Sequence, residues 1–243
     1  MIPMPPDLAT GSIGQPMIDW NDIESVFLDL DGTLLDLRFD NHFWVEFIPE
    51  HYAQHHQLAP EKARADVLAR MKELRGTLDW YCTDFWSREL NLDIIALKAT
   101  KRHLIRTRPG AQDFLATLHS DRRRVVLVTN AHPETIDLKM DQTGIAPLFD
   151  RIISSHELGY PKEHDLFWGL LQETEPFTPD KTLFIDDNLD VLRAAAAYGI
   201  SHLLAVPRPD SAREAGDTQE FRGLGAFDDI LGFFRDTRGA DTP

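Results

Sequence analysis

Two carboxylates separated by one residue, Asp29 and Asp31, come directly after a short apolar run that begins at Val26. Side chains alternate along a strand, so this spacing predicts that both carboxylates leave the strand's carboxyl end on the same side. Two carboxylates that close repel each other unless a cation or a proton lies between them. Gly32 then allows the chain to turn sharply. The stretch 26–36 therefore predicts a metal-dependent catalytic centre at a strand tip.

Further polar side chains stand at the ends of later predicted strands or in the loops after them. They are Thr129, Asn130, Lys162, Asp186 and Asp187. In an open α/β sheet the reactive groups collect at the carboxyl ends of the strands, so we expect all five to meet the first two carboxylates. Carboxylate oxygens suit Mg²⁺, which takes only a few protein ligands. The lysine and the threonine suit phosphate oxygens.

The elements that must position these groups alternate regularly through the second half of the chain. The strands predicted there are 124–129, 152–153, 183–185 and 202–206, and the helices are 111–119, 133–144, 165–173 and 189–198. Strands alternating with helices indicate right-handed βαβ units, and so an α/β fold with a Rossmann-like parallel sheet. A last helix with Phe227, Ile230, Leu231 and Phe234 is expected to pack back on this sheet.

The segment after the first strand has a different character, because it is rich in charges and helix formers and contains no strand-like run of useful length. A helix that begins at Pro60 and stops at Gly76 is predicted there from its apolar spacing. We interpret the segment as a small helical domain inserted into the sheet domain. The predicted division is a flexible lead at 1–20, a catalytic core at 21–38 and 108–243, and a helical cap at 39–107.

Composition limits the partners that this chain can have. The 243 residues include 40 acidic and 25 basic side chains, a net charge of −15, which argues against a nucleic-acid polymer or an anionic membrane as partner. A small phosphate ester is not excluded, since a metal and a few local cations can outweigh the average field. A single cysteine, Cys82, and the lack of a signal-like leader or a long apolar run predict a cytoplasmic protein. The sequence does not indicate an oligomeric state.

Some side chains have a structural explanation beside a functional one. Trp80 and Tyr81 lie in an aromatic stretch of the predicted cap, where they either stack on a substrate ring or form the cap's own core. His51 and His55 fit a solvated helix face better than a metal site, because no third ligand is apparent nearby. Cys82 is interpreted as a packing residue, since the sequence supplies no evident histidine partner for it.

The motifs taken together resemble a known superfamily. DLDGT at 29–33, the strand ending at Thr129, Lys162 and the pair Asp186-Asp187, in this order, resemble the four motifs of the haloacid dehalogenase-like (HAD) hydrolases. The helical insert resembles that superfamily's C1-type cap. One departure is that Pro161 precedes the lysine, where many relatives have lysine and then proline.

A more specific resemblance lies partly in the cap and loops. The segments are LDLRFDNHFW (35–44), TLDWYCTDFW (77–86), TNAHP (129–133), GYPKE (159–163) and FIDDN (184–188). They are similar to the bacterial GMP/IMP nucleotidase branch of the superfamily. The resemblance implies a Mg²⁺-dependent 5′-nucleotidase that hydrolyses purine nucleoside monophosphates.

The resemblance also implies roles for the site residues. Asp29 is expected to attack phosphorus and form an aspartyl-phosphate, while Asp31 protonates the leaving ribose oxygen and later helps to deprotonate water. Mg²⁺ is expected on the Asp29 side chain, the Asp31 backbone carbonyl and Asp187, with Asp186 behind Asp187. The expected phosphate-binding groups are Thr129, the Asn130 backbone N–H and Lys162.

The same residues also bear on three other functions. A haloacid dehalogenase needs no acid for its leaving group, so Asp31 favours phosphate chemistry. A non-catalytic binding module is disfavoured by the intact Asp29, Lys162 and acidic pair. A phosphatase for a sugar phosphate or a cofactor phosphate is the main alternative, because in this superfamily the caps, and not the catalytic motifs, choose the substrate.

Overall fold

The computed structural model describes residues 18–121 and 123–231. Most of the predicted lead, and Phe234 of the predicted last helix, therefore lie outside the described residues. The prediction of a flexible lead is wrong for the last residues of 1–20, because Ile18 and Trp20 are buried in the core with only 6% and 3% of their surface exposed. The rest of the predicted last helix is described, and Phe227, Ile230 and Leu231 are buried there.

The described strands form one six-stranded sheet in which every pair of neighbours is parallel, in the order β3-β2-β1-β4-β5-β6. The strands are β1 (Ser25–Leu28), β2 (Arg124–Thr129), β3 (Arg151–Ser154), β4 (Thr182–Asp186), β5 (His202–Ala205) and β6 (Arg222–Gly223). Phe27 of β1 pairs with Val126 on one side and Phe184 on the other. The chain runs from β1 to β2 and β3 on one side and then crosses to β4 on the other. The carboxyl end of β1 therefore lies at the switch point where ligands bind in such sheets.

Between β1 and β2 the residues 38–104, here called the helical insert, contain no described strand. Its helices are α1 (Arg38–His42), α2 (Ile48–His56), α3 (Pro60–Leu74), α4 (Leu78–Tyr81), α5 (Thr83–Leu90) and α6 (Ile94–Thr100), with a π-helical turn at Phe43–Phe47. In α3, Ala63, Val67 and Met71 recur every four residues and are buried, which gives this helix its packing face. The insert has its own hydrophobic cluster, which includes Phe43 and Trp86. Its interpretation as a separate cap at 39–107 stays a prediction.

The remaining helices cover the two faces of the sheet, and the predicted α/β Rossmann-like class is confirmed. They are α7 (Ala111–Ser120), α8 (Pro133–Thr143), α9 (Ser155–Leu158), α10 (Asp165–Thr174) and α11 (Leu189–Tyr198). Because strand side chains alternate, Val26 and Leu28 face one apolar cluster, while Phe27 faces the other. The short β6 was not predicted, since it lies in a polar stretch. None of the described helices has the length and apolarity that crossing a membrane requires.

Candidate active site

A cavity of about 880 Å³ lies between the helical insert and the carboxyl ends of the central strands. Every site residue predicted from the sequence lines it: Asp29, Asp31, Trp80, Tyr81, Thr129, Asn130, Lys162, Asp186 and Asp187. The sheet explains this meeting. Asp29 extends β1, where its N–H donates to the Ile185 carbonyl of β4 at 3.0 Å, so the ends of β1 and β4 lie side by side.

Lys162 is the buried cation at the centre of the site. Its Nζ donates to Asp29 Oδ1 at 2.5 Å, to Asp186 Oδ2 at 2.7 Å and to the Val128 carbonyl at 3.1 Å. Burial lowers the pKa of Lys162, but the Asp186 and Asp29 carboxylates outweigh burial and raise that pKa above its ordinary value. All three ammonium protons have protein acceptors. The lysine therefore holds Asp29 and Asp186 in place, and its predicted contact with phosphate stays a prediction.

The carboxylates around this lysine include two groups with capacity left for a metal ion. Asp29 Oδ2 is buried without a hydrogen-bond partner, and no hydrogen bond to the Asp187 carboxylate occurs within the described part of the chain. Asp186, by contrast, uses Oδ2 on Lys162 and accepts the Asn188 N–H on Oδ1 at 2.8 Å. One oxygen from each of the three carboxylates lies within 4.8 Å of the others. This arrangement fits the prediction of Asp187 as a direct ligand with Asp186 behind it.

The electrostatics of these carboxylates also fit a cation. Burial raises the pKa of Asp29 to about 6, although Lys162 opposes it. Burial, followed by the charges of Asp186 and Asp29, raises the pKa of Asp187 well above its ordinary value. Ionised carboxylates crowded in this way are stabilised by a hard divalent cation, and oxygen donors are the ligands that Mg²⁺ prefers.

Asp31 is bound by a second buried lysine that the sequence analysis did not identify. Lys139 of α8 lies with its Nζ 2.5 Å from Asp31 Oδ1 and 2.7 Å from Asp40 Oδ2. Asp40 in turn accepts from Lys98 of α6 at 2.9 Å. A sequence signal existed, because Lys139 falls on the buried face of α8 beside Met140. Burial raises the pKa of Asp31 to about 6, opposed by Lys139.

The residues after β2 fix the loop that carries Lys162. Asn130 accepts the Lys162 backbone N–H on Oδ1 at 2.9 Å and donates from Nδ2 to Glu163 at 2.9 Å. Thr129 is buried, and its hydroxyl accepts the Ala131 N–H at 3.1 Å. Both residues border the cavity as predicted. The Asn130 side chain positions the loop that carries Lys162. Only the Asn130 backbone N–H was given a role in the sequence analysis.

Glu163 also connects the core to the insert. Tyr81 donates its hydroxyl to Glu163 at 2.7 Å, and the Asn188 side chain donates to the same carboxylate at 3.2 Å. Burial, then the Glu163 charge, raises the pKa of Tyr81, which keeps the phenol protonated. The Trp80 carbonyl accepts the indole N–H of Trp86 at 2.9 Å, so the backbone here is anchored in the insert. Glu163 was missed because a single acidic residue in a loop carries no pattern.

The chain is similar to one known family and to two curated proteins. The model of the haloacid dehalogenase-like hydrolase family matches residues 23–199. Two curated proteins, the GMP/IMP nucleotidases YrfG of Escherichia coli (strain K12) and of Shigella flexneri, are each 39% identical to it over 194 residues. Each match covers 80% of this chain and 87% of the relative.

Solved structures show a similar fold at low sequence identity. A HAD phosphatase from Thermococcus onnurineus has a TM-score of 0.72 at 18% identity, covering 87% of this chain and 98% of its own. A putative beta-phosphoglucomutase from Thermotoga maritima has a TM-score of 0.64 at 17% identity, covering 88% and 99%. An L-2-haloacid dehalogenase from Xanthobacter autotrophicus has a TM-score of 0.57 at 20% identity, covering 88% and 98%. At these identities the similarity concerns the fold alone.

Proposed function

The chain belongs to the haloacid dehalogenase-like hydrolase family, and we propose that it is a Mg²⁺-dependent 5′-nucleotidase that hydrolyses purine nucleoside monophosphates such as GMP and IMP. The observation that carries this proposal is the 39% identity to GMP/IMP nucleotidases across 80% of the chain. It is supported by a cavity that joins the carboxylate cluster to aromatic side chains of the helical insert.

The metal would be held by Asp29 Oδ2, the Asp187 carboxylate and the backbone carbonyl of Asp31. The unpartnered oxygen of Asp29 and the absence of a hydrogen bond to Asp187 in the described chain support this set. Bound there, Mg²⁺ supplies positive charge that keeps Asp29 ionised and offsets the phosphate's negative charge.

The chemistry of the protein groups follows in two steps. Asp29, oriented by Lys162, attacks phosphorus, and as the new bond forms the bond to the ribose oxygen breaks and that oxygen takes the proton of Asp31. In the second step a water attacks the phosphorus of the aspartyl-phosphate and Asp31 takes the water's proton, while the bond between phosphorus and the Asp29 oxygen breaks to release phosphate and the free carboxylate. The pKa of Asp31, raised to about 6 by burial, suits a group that must donate a proton and then accept one.

Phosphate and base would contact different walls of the cavity. Thr129, the Asn130 backbone N–H and Lys162 lie on the core side, where we propose that they bind the non-bridging oxygens. Trp80 and Tyr81 lie on the insert side and are the proposed base contacts. The Tyr81 hydroxyl is already bonded to Glu163, so its ring face, and not its hydroxyl, would be available for stacking on a purine.

A substrate screen tests the proposal. The purified protein is assayed with excess Mg²⁺ against nucleoside monophosphates, sugar phosphates and cofactor phosphates, with phosphate release as the readout. We expect the highest kcat/KM for GMP and IMP, and loss of turnover when Mg²⁺ is chelated. Asp29→Asn, purified in parallel, is expected to lose nearly all activity and so controls for contaminating phosphatases. A clear preference for sugar phosphates would favour the alternative function.

The location of the protein is a separate proposal. The single cysteine, which cannot form an intramolecular disulfide, supports a reducing compartment, and we propose the cytoplasm. Fractionation of the cells that produce the protein tests this proposal.

A further inference from the structure

A second cluster of metal-ligating side chains lies outside the carboxylate site, where the helical insert meets the core. Cys82 separates α4 from α5, His132 follows β2, and His156 lies in α9 after β3. One donor atom from each of the three side chains lies within 4.8 Å of the others. Donors around a tetrahedral zinc ion are about 3.3–3.6 Å apart, so a contraction of at most about 1.5 Å would bring this cluster to that geometry. The sequence supplied no evident histidine partner for Cys82, and the structure brings two histidines near it.

His156 has a ring nitrogen that could bind a metal ion and that makes no hydrogen bond within the protein. Its Nε2 is buried and has no hydrogen-bond partner, which is rare for a buried polar atom. Burial, then the neighbouring His132, lowers the pKa of His156 to about 4, so the ring is neutral at neutral pH.

The other two side chains are oriented by neighbours. The Thr83 hydroxyl lies 2.8 Å from His132 Nδ1, and the Asp84 carboxylate lies 3.8 Å from His132 Nε2. The two imidazole rings are T-shaped with their centroids 4.9 Å apart. The Cys82 sulfur, at the N-cap of α5, accepts the Phe85 N–H at 3.4 Å.

We propose that Cys82, His132 and His156 form a binding site for a thiophilic divalent cation, Zn²⁺, that bridges the helical insert and the core. One thiolate and two imidazoles are ligands that zinc prefers, whereas Mg²⁺ prefers the oxygens of the carboxylate site. The Asp84 carboxylate, which is exposed and lies near His132, or a water completes four ligands. The two sites therefore select different metals by the chemistry of their donors.

Zinc at this position would act on the insert. Cys82 follows Tyr81, which lines the cavity from the insert side, and His132 lies two residues after Asn130, which lines it from the core side. An ion joined to both would hold the two walls of the cavity together. If substrate and product pass between those walls, as the proposed nucleotidase function requires, bound zinc is expected to slow turnover.

Cobalt absorption tests the binding. Cys82 is the single cysteine of the chain, so a thiolate-to-Co²⁺ charge-transfer band can arise only from this site. Metal-free protein is titrated with Co²⁺ in excess Mg²⁺, which occupies the carboxylate site. We expect a band that saturates at one Co²⁺ per chain and disappears when Zn²⁺ is added. Cys82→Ser is expected to abolish it, and His156→Ala to weaken Co²⁺ affinity by about tenfold or more.

A matched control separates the cluster from ordinary surface histidines. His55→Ala removes an exposed histidine of α2 and is expected to leave the band unchanged. Thermal melts of the variants without added Co²⁺ verify that each one folds. The absence of a band at stoichiometric Co²⁺, or an unchanged affinity in folded His156→Ala, would overturn the proposed site.

Turnover tests the effect on the insert. One equivalent of Zn²⁺, added in excess Mg²⁺, is expected to lower the wild-type kcat for GMP several-fold and to leave the kcat of Cys82→Ser unchanged. Equal inhibition of both proteins would show that zinc acts at the carboxylate site and would overturn the bridging effect. If the protein hydrolyses a different phosphate ester, the cobalt spectrum still reports the site, so failure of the proposed function and failure of this inference are distinguishable.

Discussion

Each of the two proposed catalytic carboxylates has its own buried lysine. Lys162 binds Asp29 and Lys139 binds Asp31, both at 2.5 Å. The close spacing of the carboxylates predicted one cation between them, and the structure provides a separate ammonium group for each. Because Lys162 uses Asp29 Oδ1, the other oxygen of Asp29 stays available for a metal. At the scale of single residues, the site is therefore organised by fixed protein charges before any ion binds.

Gly32 provides a test of the proposed metal ligand. Its φ is +90°, and a Cβ there would lie 2.6 Å from the carboxyl carbon of Asp187. Gly32→Ala is expected to displace Asp187 and to raise the Mg²⁺ concentration for half-maximal turnover by about tenfold or more. The measurement is a Mg²⁺ titration of initial rate.

Gly76→Ala is the matched control for this prediction. Gly76 has a similar φ of +81°, but a Cβ there would have no neighbour within 4 Å. Both variants bear the backbone cost of a left-handed alanine, about 1–2 kcal/mol, and only one collides with Asp187. An equal Mg²⁺ requirement in the two variants would count against Asp187 as a ligand.

A chain of buried charges joins the helical insert to the core. Lys98 of α6 binds Asp40 of α1, and Asp40 also binds Lys139 of α8, which binds Asp31. The linkers into and out of the insert pair as well, since the Asp36 N–H donates to the Arg106 carbonyl at 2.9 Å. At the scale of elements, the position of the proposed acid therefore depends on contacts that begin in the insert.

Removing Lys98, at one end of this series of buried charges, tests how much the series contributes to the free energy of unfolding. Lys98 is 3% exposed and packs over aromatic rings that include Phe39 and Phe43. Lys98→Met keeps that packing but leaves Asp40 with one cation, and we expect a loss of about 3 kcal/mol in the free energy of unfolding. Chemical denaturation of the Mg²⁺-bound protein measures it. Lys181→Met, which removes an exposed pair with Glu24, is the control and should leave the stability nearly unchanged. An equal change in the free energy of unfolding for the two variants would show that the buried charges contribute no more to stability than the exposed pair does.

The whole molecule is strongly acidic, yet cations are among the side chains that line its cavity. The net charge is −15, while the cavity lining includes three buried lysines and four exposed cationic side chains, namely Lys72, Arg75, Arg193 and Arg213. Local cations beside a carboxylate cluster suit a substrate that brings negative charge and meets a metal ion there. The average field of the protein is therefore a poor guide to the charge of its ligand.

Stability of the metal-free protein should depend on pH in an unusual direction. Burial raises the pKa values of Asp29 and Asp31 to about 6 and that of Asp187 well above its ordinary value. At pH values between about 4 and these raised pKa values, the folded state therefore binds more protons than the unfolded state. Protonation then stabilises the folded state as the pH falls. The lowered pKa of His156 opposes this effect, but it is one group against three. We expect the Tm of chelated protein to rise as the pH falls from 7 to 5.

Magnesium should reverse this dependence. Metal binding needs ionised carboxylates, so the increase in Tm that Mg²⁺ produces should be largest at pH 7 and shrink toward pH 5. Differential scanning calorimetry with and without Mg²⁺ measures both curves. A metal-free Tm that falls steadily from pH 7 to pH 5 would contradict the burial argument.

Local patterns in the sequence determined the scaffold and the composition of the site. The strand predicted at 124–129 and the helix predicted at 189–198 match β2 and α11. Buried parallel strands are continuous apolar runs and helices have a period of 3.6 residues, so both are readable from neighbouring residues. The carboxyl ends of such strands must share one edge, which is why the nine predicted site residues line one cavity.

Only the tertiary structure decided which side chains contact one another. Lys139 and Asp31 are 108 residues apart in the chain, and Tyr81 and Glu163 are 82 apart. No local pattern records such a contact, because it depends on how the insert lies against the sheet. The meeting of Cys82 with its two histidines arises in the same way. The sequence therefore determined which chemical groups the carboxyl edge carries, while packing between distant segments decided which lysine binds each carboxylate and created a second cluster of ligands.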